Sequence, residues 1–214
     1  MQPGPANILT CPHCGGKKEV MSLMSGNTCR ATVWTDTRRD YPMLPQVSPI
    51  QRCPECGKYY FLDQCESKYD EDINSWSMEL GKLNYGDLKL AYEQLSNENL
   101  TDLQRWVLNH EFFMSYNDCF RRYPETVAFP PSDEEKEMFL SIIGDLLQNI
   151  DSTPDYELFH SELLRESRRF DEAKAVLARH KSPDDEWIVR KLERLCDRQD
   201  DSPQLLIKDG EIIE

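Results

Sequence analysis

The chain has 214 residues, enough for one large domain or two small ones, and its 30% charged and 39% apolar content excludes a disordered chain. No apolar run approaches the roughly 18 residues of a membrane span. The opening MQPGPANILT has neither the basic nor the apolar segment of a secretory signal, so a cytoplasmic protein with no membrane association is expected.

The net charge of -14 is unevenly spread. Residues 1–60 carry seven Lys/Arg against four Asp/Glu (+3), and the remainder 18 against 35 (-17). A mildly basic head thus precedes a strongly acidic body, which repels nucleic-acid phosphates at long range.

Near the start stands Cys11-Pro12-His13-Cys14-Gly15, and the pattern C-P-x-C-G returns as Cys53-Pro54-Glu55-Cys56-Gly57. Two residues between cysteines let a tight turn aim both sulfurs at one tetrahedral ion. The proline presets φ for that turn, and the glycine permits φ > 0, so that nearby amides turn back toward the thiolates. Two such turns complete a four-cysteine shell without an open position, which predicts one structural zinc ion held by Cys11, Cys14, Cys53 and Cys56. Iron is the alternative ion for a four-sulfur site. The remaining cysteines, Cys29, Cys65, Cys119 and Cys196, are read as reduced thiols. Cys29 and Cys65 are the two that could replace a knuckle cysteine, whereas small buried side chains are the plainer reading. His13 takes a knuckle position that faces solvent and is not expected to ligate.

The paired turns resemble the zinc ribbon family and, at the level of the two knuckles, the rubredoxins. Over about residues 8–65 the resemblance implies two knuckles, each on a short β-hairpin, clamping one metal. The long insert from Gly15 to Arg52 departs from that pattern. About 60 residues with so few aliphatics need the ion to stay folded.

Within the insert, Thr32-Val33-Trp34-Thr35 is strand-prone and Tyr41 to Ile50 is proline-rich, extended and suited to docking a protein. Arg38, Arg39 and Lys58 interleave with Trp34, Tyr41, Tyr59 and Tyr60, a combination that could bind nucleic acid by charge and stacking. With four thiolates and Zn²⁺ the head falls to about +1, far below a binder's basic footprint. The favoured account makes these aromatics a small core and the charges a solvated surface.

Composition changes near residue 66. The acidic stretch at 67–72 reads as a linker between a ribbon at 1–66 and a helical domain at 73–200. Leu88, Ala91, Tyr92 and Leu95 give one helical stripe, and Thr101 is the N-cap of the next helix, which should end before Pro124. Ser132 and Glu135 form a capping box ahead of Phe139, Ile142, Ile143 and Leu146. Three short helices follow at about 155–167, 170–180 and 184–198. Cys119 and Cys196 fall on helices beside apolar neighbours, as core residues. The tail at 201–214 has Asp209-Gly210 between apolar flanks, a hairpin signal, or else a mobile end.

Leu158 to Arg179 resembles a tetratricopeptide helical hairpin, with Leu164, Phe170, Ala173 and Leu177 at that repeat's apolar, turn and small positions. His160, Ser161 and His180 depart from it, and no second copy stands at a 34-residue period. The resemblance implies a layer able to take a peptide or another protein. The whole chain resembles bacterial proteins that join a zinc ribbon to such helices, which implies no activity.

No HExxH, G-x-S-x-G, P-loop or dinucleotide fingerprint occurs. His110-Glu111 is read as packed side chains rather than an acid–base pair, and the many carboxylates as solvated faces. The expectation is therefore a mainly α protein with a small β zinc ribbon, non-catalytic, acting in protein interaction. Nucleic-acid binding stands second and a rubredoxin-like iron carrier third.

Overall fold

The computed structural model describes residues 1–74, 82–121, 132–150 and 156–213, apart from the side chains of Asn74 and Cys119. Among them are eleven strands and six α-helices, arranged in two units. One comprises Met1–Arg30 and Tyr41–Leu108, the other Ala31–Asp40 and Asn109–Glu214. Among the described residues no helix is long and apolar enough to cross a membrane. Antiparallel strands take a larger share than the expected small ribbon, in four separate sheets.

The first unit begins with β1 (Gln2–Pro3), β2 (Pro5–Thr10), β3 (Lys17–Val20) and β4 (Leu23–Ser25). It continues with β7 (Ile50–Arg52), β8 (Tyr59–Phe61), β9 (Glu66–Asn74) and helix α1 (Tyr85–Leu95). Strand β2 lies between β3 and β9, and β7 pairs with β8 from Ile50↔Phe61 to Arg52↔Tyr59. The stretch expected as a linker is thus strand β9, with Glu66 opposite Thr10 and Tyr69 opposite Asn7. From Glu66 to Tyr69 every residue is exposed, so no in–out alternation betrays the strand in the sequence. Backbone pairing to β2 decides it.

Helix α1 packs on the β7–β8 hairpin. Ile50, Tyr59 and Phe61 bury against Leu88, Ala91 and Leu95, with Leu100 and Leu108 completing the cluster. Each fully buried leucine or phenylalanine contributes about 1.5–3 kcal/mol. Gln94 ties the helix to the hairpin by accepting from the Tyr59 amide (3.0 Å) and donating to its carbonyl (2.9 Å). The expected division into 1–66 and 73–200 therefore differs from the observed one, because α1 buries its apolar face on the hairpin that carries the second knuckle.

Helix α2 (Asp102–Arg121) opens as expected: the Gln104 amide donates to Thr101 Oγ1 (3.2 Å) and the Thr101 amide to Gln104 Oε1 (3.2 Å). Its residues through Leu108 belong to the first unit, those from Asn109 to the second. Its expected stop before Pro124 lies outside the described residues.

In the second unit, β5 (Thr32–Trp34) and β6 (Arg39–Asp40) join β10 (Leu205–Lys208) and β11 (Glu211–Ile212) in the order β11-β10-β5-β6. The tail is the expected hairpin: Lys208 faces Glu211 across Asp209 and Gly210, both at positive φ (53° and 91°). It pairs with β5, not with the knuckle strands. Helices α3 (Asp133–Asn149), α4 (Glu157–Glu166), α5 (Phe170–Leu177) and α6 (Glu186–Asp197) match the expected helices to within a turn. Phe139 of α3 stacks on Phe113 (centroids 5.5 Å apart) and Tyr116 (4.0 Å) of α2.

Helices α4 and α5 make a tight hairpin. Ala173 is fully buried, and Ser161 Oγ donates to its carbonyl at 3.2 Å, a backbone approach that a larger residue would block. His180 follows α5 and bridges Glu157 to Asp185 through its two ring nitrogens, both at 3.1 Å. Cys196 packs here with Leu164, Ala173 and Val176, the core role expected of it. The Cys119 side chain lies outside the described set.

The capping box of α3 forms as the sequence demands, Ser132 Oγ accepting from the Glu135 amide (3.2 Å) and Glu135 Oε2 from the Ser132 amide (2.9 Å). Replacing Ser132 by Ala should destabilise the second unit by about 1 kcal/mol, read from urea unfolding midpoints. A loss below about 0.3 kcal/mol would mean that water serves the helix end equally well.

Candidate metal centre

Each C-P-x-C-G motif is the turn of one hairpin in the first unit, Cys11 to Gly15 between β2 and β3 and Cys53 to Gly57 between β7 and β8. The turns close identically. The Gly15 amide donates to the Cys11 carbonyl (2.9 Å) and the Cys11 amide to the Gly16 carbonyl (2.8 Å). The Gly57 amide likewise donates to Cys53 (3.0 Å) and the Cys53 amide to Lys58 (2.9 Å). Gly15 and Gly57 stand at φ 76° and 72°, the left-handed region in which a Cβ costs about 1–2 kcal/mol.

These turns bring the four sulfurs of Cys11, Cys14, Cys53 and Cys56 within 4.8 Å of one another. Cys11 Sγ lies 3.9 Å from Cys56 Sγ, and Cys14 Sγ 3.6 Å from Cys53 Sγ. Disulfide sulfurs sit about 2.05 Å apart, so the group is four free thiols. Tetrahedral ligands about 2.3 Å from a zinc ion sit about 3.8 Å from each other. The donor set and its spacing therefore fit one divalent ion, and the group can hold a metal.

Cys11 and Cys53 are buried, Cys14 and Cys56 exposed. Against the buried pair packs Tyr60, itself fully buried, which the sequence had offered only as one of several ribbon aromatics. Amides reach the sulfurs from within the turns, Gly16 to Cys14 (3.4 Å) and Cys56 to Cys53 (3.5 Å). Burial pushes the Cys53 thiol up, but the Cys56 and Glu55 amides outweigh it and bring it down to about 7. At Cys14 the Gly16 amide lowers the thiol, yet the Cys56 thiol and burial together push it up to about 12. Burial raises Cys11. An entering cation displaces these protons.

The alternative ligands fall away from the group. Cys29 is exposed and Cys65 is outside the cluster, its thiol donating to the Phe61 carbonyl at 3.7 Å and pushed up by burial to about 11. His13 is exposed, with Nε2 3.1 Å from the Tyr59 carbonyl.

The residues weighed for the second-ranked nucleic-acid reading fall in both units. Tyr59 and Tyr60 are buried, and Trp34 and Arg38 belong to the second unit, where Arg38 lies 3.7 Å from both Asp40 and Asp118. His110 also lies in that unit, its Nε2 3.3 Å from Thr37 Oγ1 and its ring against the edge of Phe159, while burial holds it down to about 4.

Comparison of the chain with protein-family models, with curated proteins and with solved structures finds no match.

Proposed function

We propose that this is a zinc protein in which one four-thiolate ion staples the β module of the first unit, and that it acts by binding another protein rather than by catalysis. The observation that carries the zinc reading is the spacing of the sulfurs, 3.6 and 3.9 Å across the two knuckles, against about 3.8 Å for tetrahedral zinc. All four positions are filled by cysteine, so no place is left for a substrate or an activated water, the mark of a structural rather than a catalytic ion. The protein-binding reading draws on the tight α4–α5 hairpin with its fully buried Ala173, the feature by which tetratricopeptide-like layers stack. The bridge from His180 to Glu157 and Asp185 is a departure from that repeat.

Elemental mass spectrometry of freshly purified protein tests the zinc reading, with Cys11→Ser and Cys53→Ser alongside. One zinc per chain, lost in both variants, is the expected result. Iron that cycles reversibly would replace the reading with an electron carrier, and a metal-free native protein would refute it. The partner should be retained on affinity capture by wild type and lost with Ala173→Leu, which splays the α4–α5 hairpin while leaving the knuckles untouched.

A further inference from the structure

A second cluster of chemistry lies in the second unit. Asp36, Asn117, Arg121, Glu162, Arg165 and Glu166 are all within a few per cent of full burial at their side chains. Three carboxylates and two guanidiniums thus share one dry site.

The hydrogen bonds assign the charges. Arg165 donates from Nε to Glu162 Oε2 (2.7 Å) and from Nη2 to Glu162 Oε1 (2.6 Å) and the Ser202 carbonyl (2.9 Å), while Nη1 takes the Asp200 carbonyl. Arg121 donates from Nη1 to Asp36, from Nε to Asp118 (3.2 Å) and from Nη2 to the Met114 carbonyl (2.6 Å). Each guanidinium is therefore committed, Arg165 to Glu162 and Arg121 to Asp36. Glu166 is left with a neutral donor: Asn117 Nδ2 reaches its Oε2 at 2.8 Å and the Asp36 carboxyl at 3.0 Å. Among the described residues its Oε1 has no hydrogen-bond partner, and it stays 3.9 Å from Arg165.

We propose that Glu166 is carried as the neutral acid, and that its proton is a pH-sensitive latch holding the Ala31–Asp40 hairpin, α2 and α4 together. An ionised Glu166 would be a buried charge with no cation to itself, beside two other carboxylates, and such a charge is shed by binding a proton. Burial raises Glu166 well above the usual carboxylate range, and the charges of Glu162 and Asp36 add to it against Arg165. Burial also raises Asp36, against the charge and hydrogen bond of Arg121. Among the described residues, the charges acting on Glu166 are Glu162 and Arg165 on its own helix and Asp36 from the β5–β6 turn; Arg121 of α2 pairs with Asp36 and Asp118, and Asp200 after α6 lies against Arg165.

The folded state holds this proton at a pH where the unfolded chain has released it. The latch is intact below the ordinary glutamate value of 4.5 and weakens as pH climbs toward the raised folded-state value. Within that window the unfolding constant of the second unit rises tenfold for each pH unit. Losing the proton leaves a desolvated negative charge beside Glu162 and Asp36, and that repulsion, not the Asn117 hydrogen bond, is what weakens the packing of the hairpin, α2 and α4.

The test compares wild type with Glu166→Gln, an uncharged isostere, through urea series at pH 5 to 8, following the NMR amide signals of α4. The expected result is that the variant lacks one proton's worth of pH dependence and equals or exceeds wild type at pH 8. Infrared spectra of the wild type at neutral pH should show the carbonyl stretch of a protonated carboxylic acid, absent from Glu166→Gln. A variant that is weaker at every pH with the wild-type slope would overturn the proposal. Should the variant fail to fold, absence of that stretch in wild type overturns it, and its presence supports it.

Discussion

On the zinc reading, chelation should unfold the knuckle-bearing unit and leave the helices of the other unit in place. Chelation in mild urea is expected to collapse the NMR dispersion of residues 5–20, 50–61 and 85–95 together, with the signals of α4 to α6 unmoved. An ion shared by the four sulfurs would tie the β2–β3 hairpin to the β7–β8 hairpin, which belong to different sheets. Structural zinc supplies about 10–16 kcal/mol at pH 7, as much as or more than the whole stability of an ordinary domain, about 5–15 kcal/mol. Helix α1 should follow the knuckles, because its buried face of Leu88, Ala91 and Leu95 rests on Ile50, Tyr59 and Phe61. Full dispersion in metal-free protein would show that this apolar cluster suffices alone.

The second large effect is expected at Arg165, the bulkiest fully buried side chain in the described residues. Truncation to Ala strands Glu162, whose two oxygens both depend on it, and frees the carbonyls of Asp200 and Ser202. Breaking a buried pair from one side costs about 3–5 kcal/mol, because the remaining charge stays desolvated. Denaturant unfolding followed by the α4 amide signals measures it. The double variant Glu162→Gln with Arg165→Met should recover much of the loss, since replacing both charges removes the orphan. A single-variant cost below about 1 kcal/mol would mean that water reaches Glu162 when the guanidinium is gone.

Burial of this cluster bears on how the sequence can be read. Glu162, Arg165 and Glu166 sit on a short helix among many charges, and by composition they read as a solvated face. Their partners lie 85 residues away for Arg121 with Asp36, 49 for Asn117 with Glu166, and 35 for Arg165 with the Asp200 carbonyl. No pattern along the chain encodes such meetings. Strand β9 is the same case in backbone form, an exposed and acidic segment that becomes a strand because β2 offers an edge.

The sequence by itself determined whatever depends on neighbours within a few residues. The two knuckles follow from cysteine, proline and glycine at fixed offsets, the starts of α2 and α3 from Thr101 with Gln104 and Ser132 with Glu135, and the tail hairpin from Asp209-Gly210. These are closed by local backbone geometry and hydrogen bonds, so residue type and spacing are enough. Only the tertiary structure decided that Trp34 and its strand leave the insert to pair with the tail, that α1 belongs with the second knuckle, and that five charged side chains share a dry interior. The physical reason is that burial and charge pairing are settled between segments distant in sequence, where desolvation outweighs the preference of any one segment for water.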